Sequence, residues 1–356
     1  MKLLSVVGAR PQFVKLAPIS WAVAQRGDVE HVIVHTGQHY DHSMSTVFFD
    51  DLAIPSPDFD LHVGSGTHAG QTAAMLDALG QLLATQAADC VLVYGDTNST
   101  LAGALAAIKL HLPVAHLEAG LRSFNRMMPE EHNRVLTDHA SDLLLAPTQT
   151  AMSNLDREGI AARAVLVGDV MIDILERIAA RVGNTAPGVL DETGLHPGDY
   201  YVATIHRAEN TDDPERLTEI LGSLSCLKKP VLLLEHPRLT TRVSAEGLDS
   251  TLRGVIRHAP LSYPDLIGTV THSAGVITDS GGLQKEAFFL RVPCTTVRTE
   301  TEWPETVELH WNVLATTRDA IRSAADRSRP PETFSAPYGD GHAAEAAIQT
   351  IVDHFR

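Results

Sequence analysis

The chain has 356 residues, enough for two domains of ordinary size. Apolar residues make up 44% and charged residues 20%, near globular norms, which excludes disordered, collagen-like and coiled-coil organisation. Lys and Arg number 28 against 44 Asp and Glu, and the resulting charge of −16 repels polyphosphate backbones, so no nucleic-acid partner is expected, whereas a locally positive cleft can still take a small anion.

The first apolar stretch, Leu3 to Ala9, follows Lys2 and imitates a secretory signal. Arg10 and Pro11 end it after seven residues, so it reads as a β-strand over Leu3 to Val7. No run approaches the roughly 18 apolar residues of a spanning helix, and a soluble, cytoplasmic protein with no membrane partner is expected. Further strands are predicted at His31 to His35, Cys90 to Tyr94, Pro113 to Leu117, Leu143 to Ala146 and Val165 to Val167. A second series follows at Tyr201 to Ile205, Val231 to Leu234, Gly254 to Arg257, Gly275 to Thr278 and Cys294 to Val297. Amphipathic stretches at Gln71 to Thr85, Ser99 to Leu110 and Pro214 to Leu227 alternate with them, the pattern of a parallel α/β architecture with both sheet faces covered. Two Rossmann-like domains facing a cleft are expected, residues 1–170 and 171–342, with a last helix at Ala343 to Phe355 packing back on the first domain. Arg181 to Gly198 is the stretch least suited to regular structure. Cys90, Cys226 and Cys294 form no CxxC pair, which argues against disulfides and a thiolate zinc site.

Ligands of open α/β sheets bind beyond the carboxyl ends of the strands, so residues there are the candidates for chemistry. Arg10 and Lys15, in "GARPQFVKLAP", stand at a strand-to-helix junction suited to a phosphate or carboxylate. Asp96 in "GDTNST" and Glu118 in "HLEAGLRS" end apolar strands without a capping duty, and "PEEHNR" adds Glu130, Glu131 and Arg134. Glu131 reads as a partner of the helix dipole, whereas converging carboxylates suit proton transfer. In the second half His206 with Arg207, and His236 with Arg238, follow strands as phosphate contacts. Asp279, Ser280, Gly281 and Gly282 form a turn that aims N–H groups and a hydroxyl at a phosphate, and Glu286 is placed to accept from a ribose.

Other patterns carry less. "DSGG" lies between a strand and a helix, which disfavours a protease-like nucleophile at Ser280. "DFD" at Asp58 to Asp60 precedes a strand instead of ending one, and His35, His39 and His42 lack a closing ligand and read as polar loop residues, so no metal is expected. GxGxxG and GxxxxGK[ST] are absent, which argues against a bound nicotinamide or a P-loop.

Together "GARPQFVKLAP", "HTGQHYD", "GDTNSTLAGALAA", "HLEAGLRS", "PEEHNR", "TIHRAEN", "TDSGGLQKEA" and "ETEWPE" resemble, in order and over nearly the whole chain, the non-hydrolysing UDP-N-acetylglucosamine 2-epimerase family. The resemblance implies a glycosyltransferase B-type fold, no cofactor or metal, a homodimer, and interconversion of UDP-GlcNAc and UDP-ManNAc by elimination of UDP and its re-addition to a 2-acetamidoglucal. It implies Asp96, Glu118, Glu130 and His206 as catalytic residues. It also matches Arg10, Lys15, Ser280, Gly281 and Glu286 to substrate binding, which Arg134, His236 and Gly282 join as candidates from their own positions. Gln38, His39 and Gln71 match positions near an allosteric UDP-GlcNAc site in some members. Ala9, Gln12, His132 and Lys285 depart from the commoner pattern and leave substrate preference open. A hydrolysing epimerase releasing ManNAc and UDP, or a glycosyltransferase of the same fold, are the alternatives.

Overall fold

The computed structural model describes residues 1–38, 52, 54–183, 186–331 and 336–356. The chain forms two compact units, Met1–Glu176 with Ala336–Arg356, and Arg177–Ser335.

The first unit holds a parallel sheet of β1 (Lys2–Val7), β2 (Glu30–His35), β3 (Phe59–Asp60), β4 (Cys90–Tyr94), β5 (Val114–Leu117), β6 (Leu143–Ala146) and β7 (Ala164–Leu166), in the order β3-β2-β1-β4-β5-β6-β7. Val6 pairs with Val34 on one side and Val93 on the other, so apolar side chains stack across the three central strands. Met75, Leu79 and Leu83 of the helix His68–Gln86 and the alanines of the helix Asn98–Lys109 bury that face. Small residues let the latter helix lie close to the sheet.

The second unit repeats the scheme with β8 (Tyr201–Thr204), β9 (Val231–Leu234), β10 (Val255–His258), β11 (Gly275–Thr278), β12 (Cys294–Thr296) and β13 (Asn312–Leu314), in the order β10-β9-β8-β11-β12-β13. Leu217, Ile220, Leu221 and Leu224 of the helix Pro214–Leu224 cover one face with Ile321, and Val202, Leu232, Val276 and Ala287 fill the other. Asp213 starts that helix by accepting the Glu215 and Arg216 N–H groups.

Two strands escape the sequence pattern, β3 and β13, which are two and three residues long and lie at sheet edges. The "DFD" segment therefore does not precede a strand: Phe59 and Asp60 are the strand. A short helix, Gly188–Thr193, also forms inside the stretch expected to be irregular, because Val189 and Leu190 bury against the second core.

The last helix, Ala343–Phe355, belongs to the first unit and packs on the helix Arg10–Ala24. Its first turn is capped from a distance: the Asp173 carboxylate accepts the N–H groups of Ala343 at 3.1 Å and Ala344 at 2.7 Å. Burial pushes that carboxyl up to about 6 against the pull of those bonds. An acid raised above its unfolded value binds the extra proton in the native state, so stability falls as pH rises from about 4 to about 6. Asp173→Asn is expected to flatten this part of the unfolding free energy against pH, measured in urea; an unchanged slope would show that another group titrates there.

Candidate active site

Strand order reverses between β1 and β4 in the first sheet and between β8 and β11 in the second. Such switch points are where parallel sheets open to ligands, and the candidate residues gather at their carboxyl ends.

In the first unit the chain leaves β1 through Gly8 and Ala9 into the helix Arg10–Ala24, with Pro11 in the first turn. Lys15, one and a half turns on, sends its Nζ to Glu118 Oε1 at 2.5 Å, and both side chains are nearly buried. Glu118 follows β5 in a left-handed conformation with φ 72°. Its N–H and that of Ala119 both donate to the Leu145 carbonyl, which holds a backbone state costly for a residue with a side chain.

Gly95 follows β4 with φ 62°, and its N–H donates to the Leu117 carbonyl. A Cβ there would stand 3.0 Å from Lys15 Nζ and 3.6 Å from Glu118 Oε1. The absent side chain is what lets the turn carrying Asp96 approach the Lys15–Glu118 pair. Asp96 Oδ2 accepts from Arg134 Nη2 at 2.6 Å, and Thr97 then caps the next helix. Asn133 Nδ2 donates to the Asp96 carbonyl, so the helix Pro129–Ala140 fixes both the side chain and the backbone of Asp96.

The two glutamates that open this helix behave differently. Glu130 is half-buried and its side chain forms no hydrogen bond or ion pair among the described residues. Glu131 is buried and accepts the Ser123 N–H and hydroxyl, the Phe124 N–H and Arg134 Nη1. Burial raises its pKa, but those donors outweigh burial and hold the carboxyl below the ordinary range. The helix-dipole reading of Glu131 is therefore too weak: it clasps the loop after Leu121.

In the second unit β8 runs into His206 and Arg207, and β11 into Asp279 and Ser280. Asp279 is fully buried and binds His206 Nδ1 at 3.1 Å, the His206 and Arg207 N–H groups, and Asn210 Nδ2. Burial opposes its charge, yet His206, Asn210 and the backbone donors lower its pKa. The imidazole is thereby oriented through Nδ1. Ser280 caps the helix Gly281–Phe289, and the N–H groups of Gly281 and Gly282 find no acceptor among the described residues. A Cβ on Gly281 would stand 3.8 Å from Arg207 Nη2, 3.9 Å from Glu302 Oε2 and 4.0 Å from Trp303 Nε1, so the open space above the helix start is bordered by two donors and one carboxylate. Glu286, one turn on, is buried and accepts from Tyr263 at 2.8 Å. Lys285 is buried as well, its ammonium 3.9 Å from the centre of the Trp303 ring.

His236 caps the helix Pro237–Ala245 and its ring lies 5.5 Å from that of His206, whereas Arg238 is taken up by Thr211 and Asp212. Gln38 and Gln71 have internal partners: Gln38 Oε1 accepts from Ser99, and Gln71 donates to the Gln38 and Gly64 carbonyls while accepting from Asn98. His39, His42 and the Arg10 side chain lie outside the described residues. His35 is not a loop residue but the buried end of β2, stacked on Phe13 and 3.4 Å from Asp60. Asp58 is spent on the Ile33 N–H. Asp279, read from the sequence as part of a phosphate turn, is instead spent on His206, the Arg207 N–H and Asn210. Tyr263 and Asn133 escaped the sequence reading, because a residue that serves another side chain has no motif of its own.

Two Rossmann-type parallel sheets, one ending in paired carboxylates and cations and the other in a helix start whose first N–H groups have no acceptor among the described residues, make up a glycosyltransferase B-type scaffold. A Phytolacca americana protein solved with UDP-2-fluoroglucose shares this fold alone, at 13% identity and TM-score 0.55. The model of the UDP-N-acetylglucosamine 2-epimerase family matches residues 22–352. The chain belongs to that family. It is 46% identical to a UDP-2,3-diacetamido-2,3-dideoxy-D-glucuronate 2-epimerase of Pseudomonas aeruginosa and 43% identical to a UDP-N-acetylglucosamine 2-epimerase homolog of Methanococcus maripaludis, over 99% of both chains in each case. It superposes with TM-score 0.91 on the Methanocaldococcus jannaschii UDP-GlcNAc 2-epimerase solved with UDP-GlcNAc and UDP, at 38% identity, covering 99% of this chain and 100% of that one.

Proposed function

We propose that the protein interconverts UDP-GlcNAc and UDP-ManNAc by elimination of UDP and its re-addition, without hydrolysis. The observation that carries this reading, in a chain of that family, is the juxtaposition of Lys15–Glu118 with Arg134–Asp96 at the ends of neighbouring strands. C2 is not next to a carbonyl, so its proton is hard to remove directly. Breaking the C1–O bond sends the electron pair onto the UDP oxygen, C2–H gives its proton to one carboxylate, and the 2-acetamidoglucal forms. Another carboxylate protonates C2 from the opposite face, and the same UDP oxygen bonds again to C1. No electron carrier is consumed. Asp96, Glu118 and Glu130 share the proton transfers; the first-turn N–H groups of Gly281 and Gly282, Ser280, Arg207 and His206 retain the diphosphate. Lys15 and Arg134 hold the carboxylates in place beside the sugar.

Incubation in D2O with UDP-GlcNAc is expected to place deuterium at C2 and to give UDP-ManNAc with little free sugar, read by NMR. Epimerisation without deuterium would overturn the elimination, and free ManNAc with UDP at early times would point to hydrolysis. Glu286→Ala is expected to weaken UDP binding about tenfold to a hundredfold, the worth of a charge-assisted hydrogen bond; unchanged calorimetric affinity would remove Glu286 from the nucleotide site.

The Pseudomonas relative supports a second substrate, a UDP-diacetamido-glucuronate, and parallel assays of both sugars decide between them. We also propose a cytoplasmic homodimer. Met127, 90% exposed, borders an apolar depression of about 620 Å³ with Leu76, Leu101 and Pro129, a surface suited to a second copy. The three cysteines are free, in keeping with a reducing compartment. No helix among the described residues is long and apolar enough to cross a membrane.

A further inference from the structure

Beneath the two turns that carry Asp96 and Glu118 lies a group of charges with no access to solvent and no part in the chemistry proposed above. His116 and Asp138 have side chains with no exposed surface, and that of Arg122 is 1% exposed. His116 points from β5 towards its neighbour β4, placing Nε2 2.7 Å from the Gly95 carbonyl and Nδ1 2.7 Å from Asp138 Oδ1. A carbonyl only accepts, so Nε2 must donate to it. Asp138 Oδ2 accepts the Gly120 N–H at 3.1 Å and the Arg122 guanidinium at 2.7 Å. Arg122 also forms a two-pronged pair with Glu158, which in turn meets His139. Burial opposes the Asp138 charge, but His116 and Arg122 overcome it and lower its pKa.

We infer that His116 is a positioning residue of the reaction, whose buried imidazole grips Gly95 directly and the Glu118–Gly120 turn through Asp138, and so fixes the spacing of the two catalytic turns. The inference rests on the reading of Asp96 and Glu118 as proton-transfer groups. A buried ionic cluster contributes little net stability over an apolar replacement, whereas a displacement of about 1 Å in a catalytic group costs on the order of a hundredfold in rate. Here one residue ties down both turns: Gly95 is left-handed and leads into Asp96, and Glu118 is itself left-handed and would relax if its flanks were free.

Two substitutions separate positioning from support of the fold. In Asp138→Asn the amide oxygen still accepts from Gly120, the amide NH2 donates to His116 Nδ1, and Nε2–H keeps the Gly95 carbonyl, but Arg122 loses a counter-charge. This variant is expected to melt at a lower temperature and to keep kcat per folded molecule within about tenfold of the wild type. In His116→Gln a single amide cannot span both partners. Its kcat and its rate of deuterium uptake at C2 are expected to fall together by about a hundredfold, with KM and the calorimetric affinity for UDP within about twofold. Each variant is assayed at a temperature where it is folded by circular dichroism. Turnover that tracks melting temperature in both variants, or His116→Gln within threefold of the wild type, overturns the inference. If His116→Gln does not fold, Asp138→Ala decides, because it releases the Glu118–Gly120 turn from His116: turnover down by about a hundredfold with UDP affinity within about twofold supports the inference, and turnover within about threefold of the wild type overturns it. A wild type that takes up no deuterium would instead defeat the reading of the reaction on which this rests.

Discussion

Glu118→Gln is expected to lower turnover by about a thousandfold or more while leaving UDP affinity within about twofold. The amide keeps the volume and an oxygen for Lys15 Nζ but cannot take up or release a proton, and general acid–base groups are worth about 10² to 10⁴ in rate. Glu118 and Lys15 belong to the first unit, whereas the turn at Ser280 and the carboxylate of Glu286 belong to the second, so binding and chemistry should separate. The substitution also leaves a nearly buried ammonium without its counter-charge, which costs stability, so rates must be divided by the folded fraction. NMR turnover with UDP calorimetry makes the comparison, and loss of UDP binding with turnover spared would reverse the division of labour.

Gly120→Ala is expected to destabilise the protein by about 3 kcal/mol or more and to lower the first melting transition by roughly 6 to 12 °C. Gly120 has φ 84°, and a Cβ on it would sit 2.6 Å from the Ala151 carbonyl oxygen and 2.9 Å from Leu155 Cγ. The carbonyl belongs to the helix Gln149–Arg157 and cannot swing aside as a side chain would. Gly120 is also held at both ends, its N–H by Asp138 and its carbonyl by Asn154. Differential scanning calorimetry reads the shift; a transition within about 2 °C of the wild type would mean that the turn relaxes freely.

The parallel arrangement was legible in the sequence because buried parallel strands are short apolar runs, as in "VLVY" and "VLLL", separated by helices with Pro, Thr or Asp at their starts. β3 and β13 were not, since "FD" and "NVL" at a sheet edge bury too little to leave a pattern. Asp96 and Glu118 stood out as polar residues directly after apolar strands. Lys15 and Arg134 were candidates too, but their pairings were not legible: Lys15 meets Glu118 and Arg134 meets Asp96 across the sheet end, 103 and 38 residues apart in sequence. His116 was hidden for the opposite reason. It lies inside an apolar strand, where one histidine in "VAHL" says nothing about which loop its ring will reach.

The helix Ala343–Phe355 completes a unit whose other residues were made far earlier, since Arg177–Ser335 intervenes. At about 5 to 20 residues per second a ribosome needs roughly ten to thirty seconds for that stretch. Throughout that interval the nascent first unit lacks the surface that receives Ala344, Ala347, Ile348, Ile351 and Val352, and Asp173 has no helix start to cap. The second unit can be finished and folded before the first is sealed. Order of synthesis and order of folding are thus opposed in this chain, and premature termination near residue 340 would damage the earlier-made unit while sparing the later-made one.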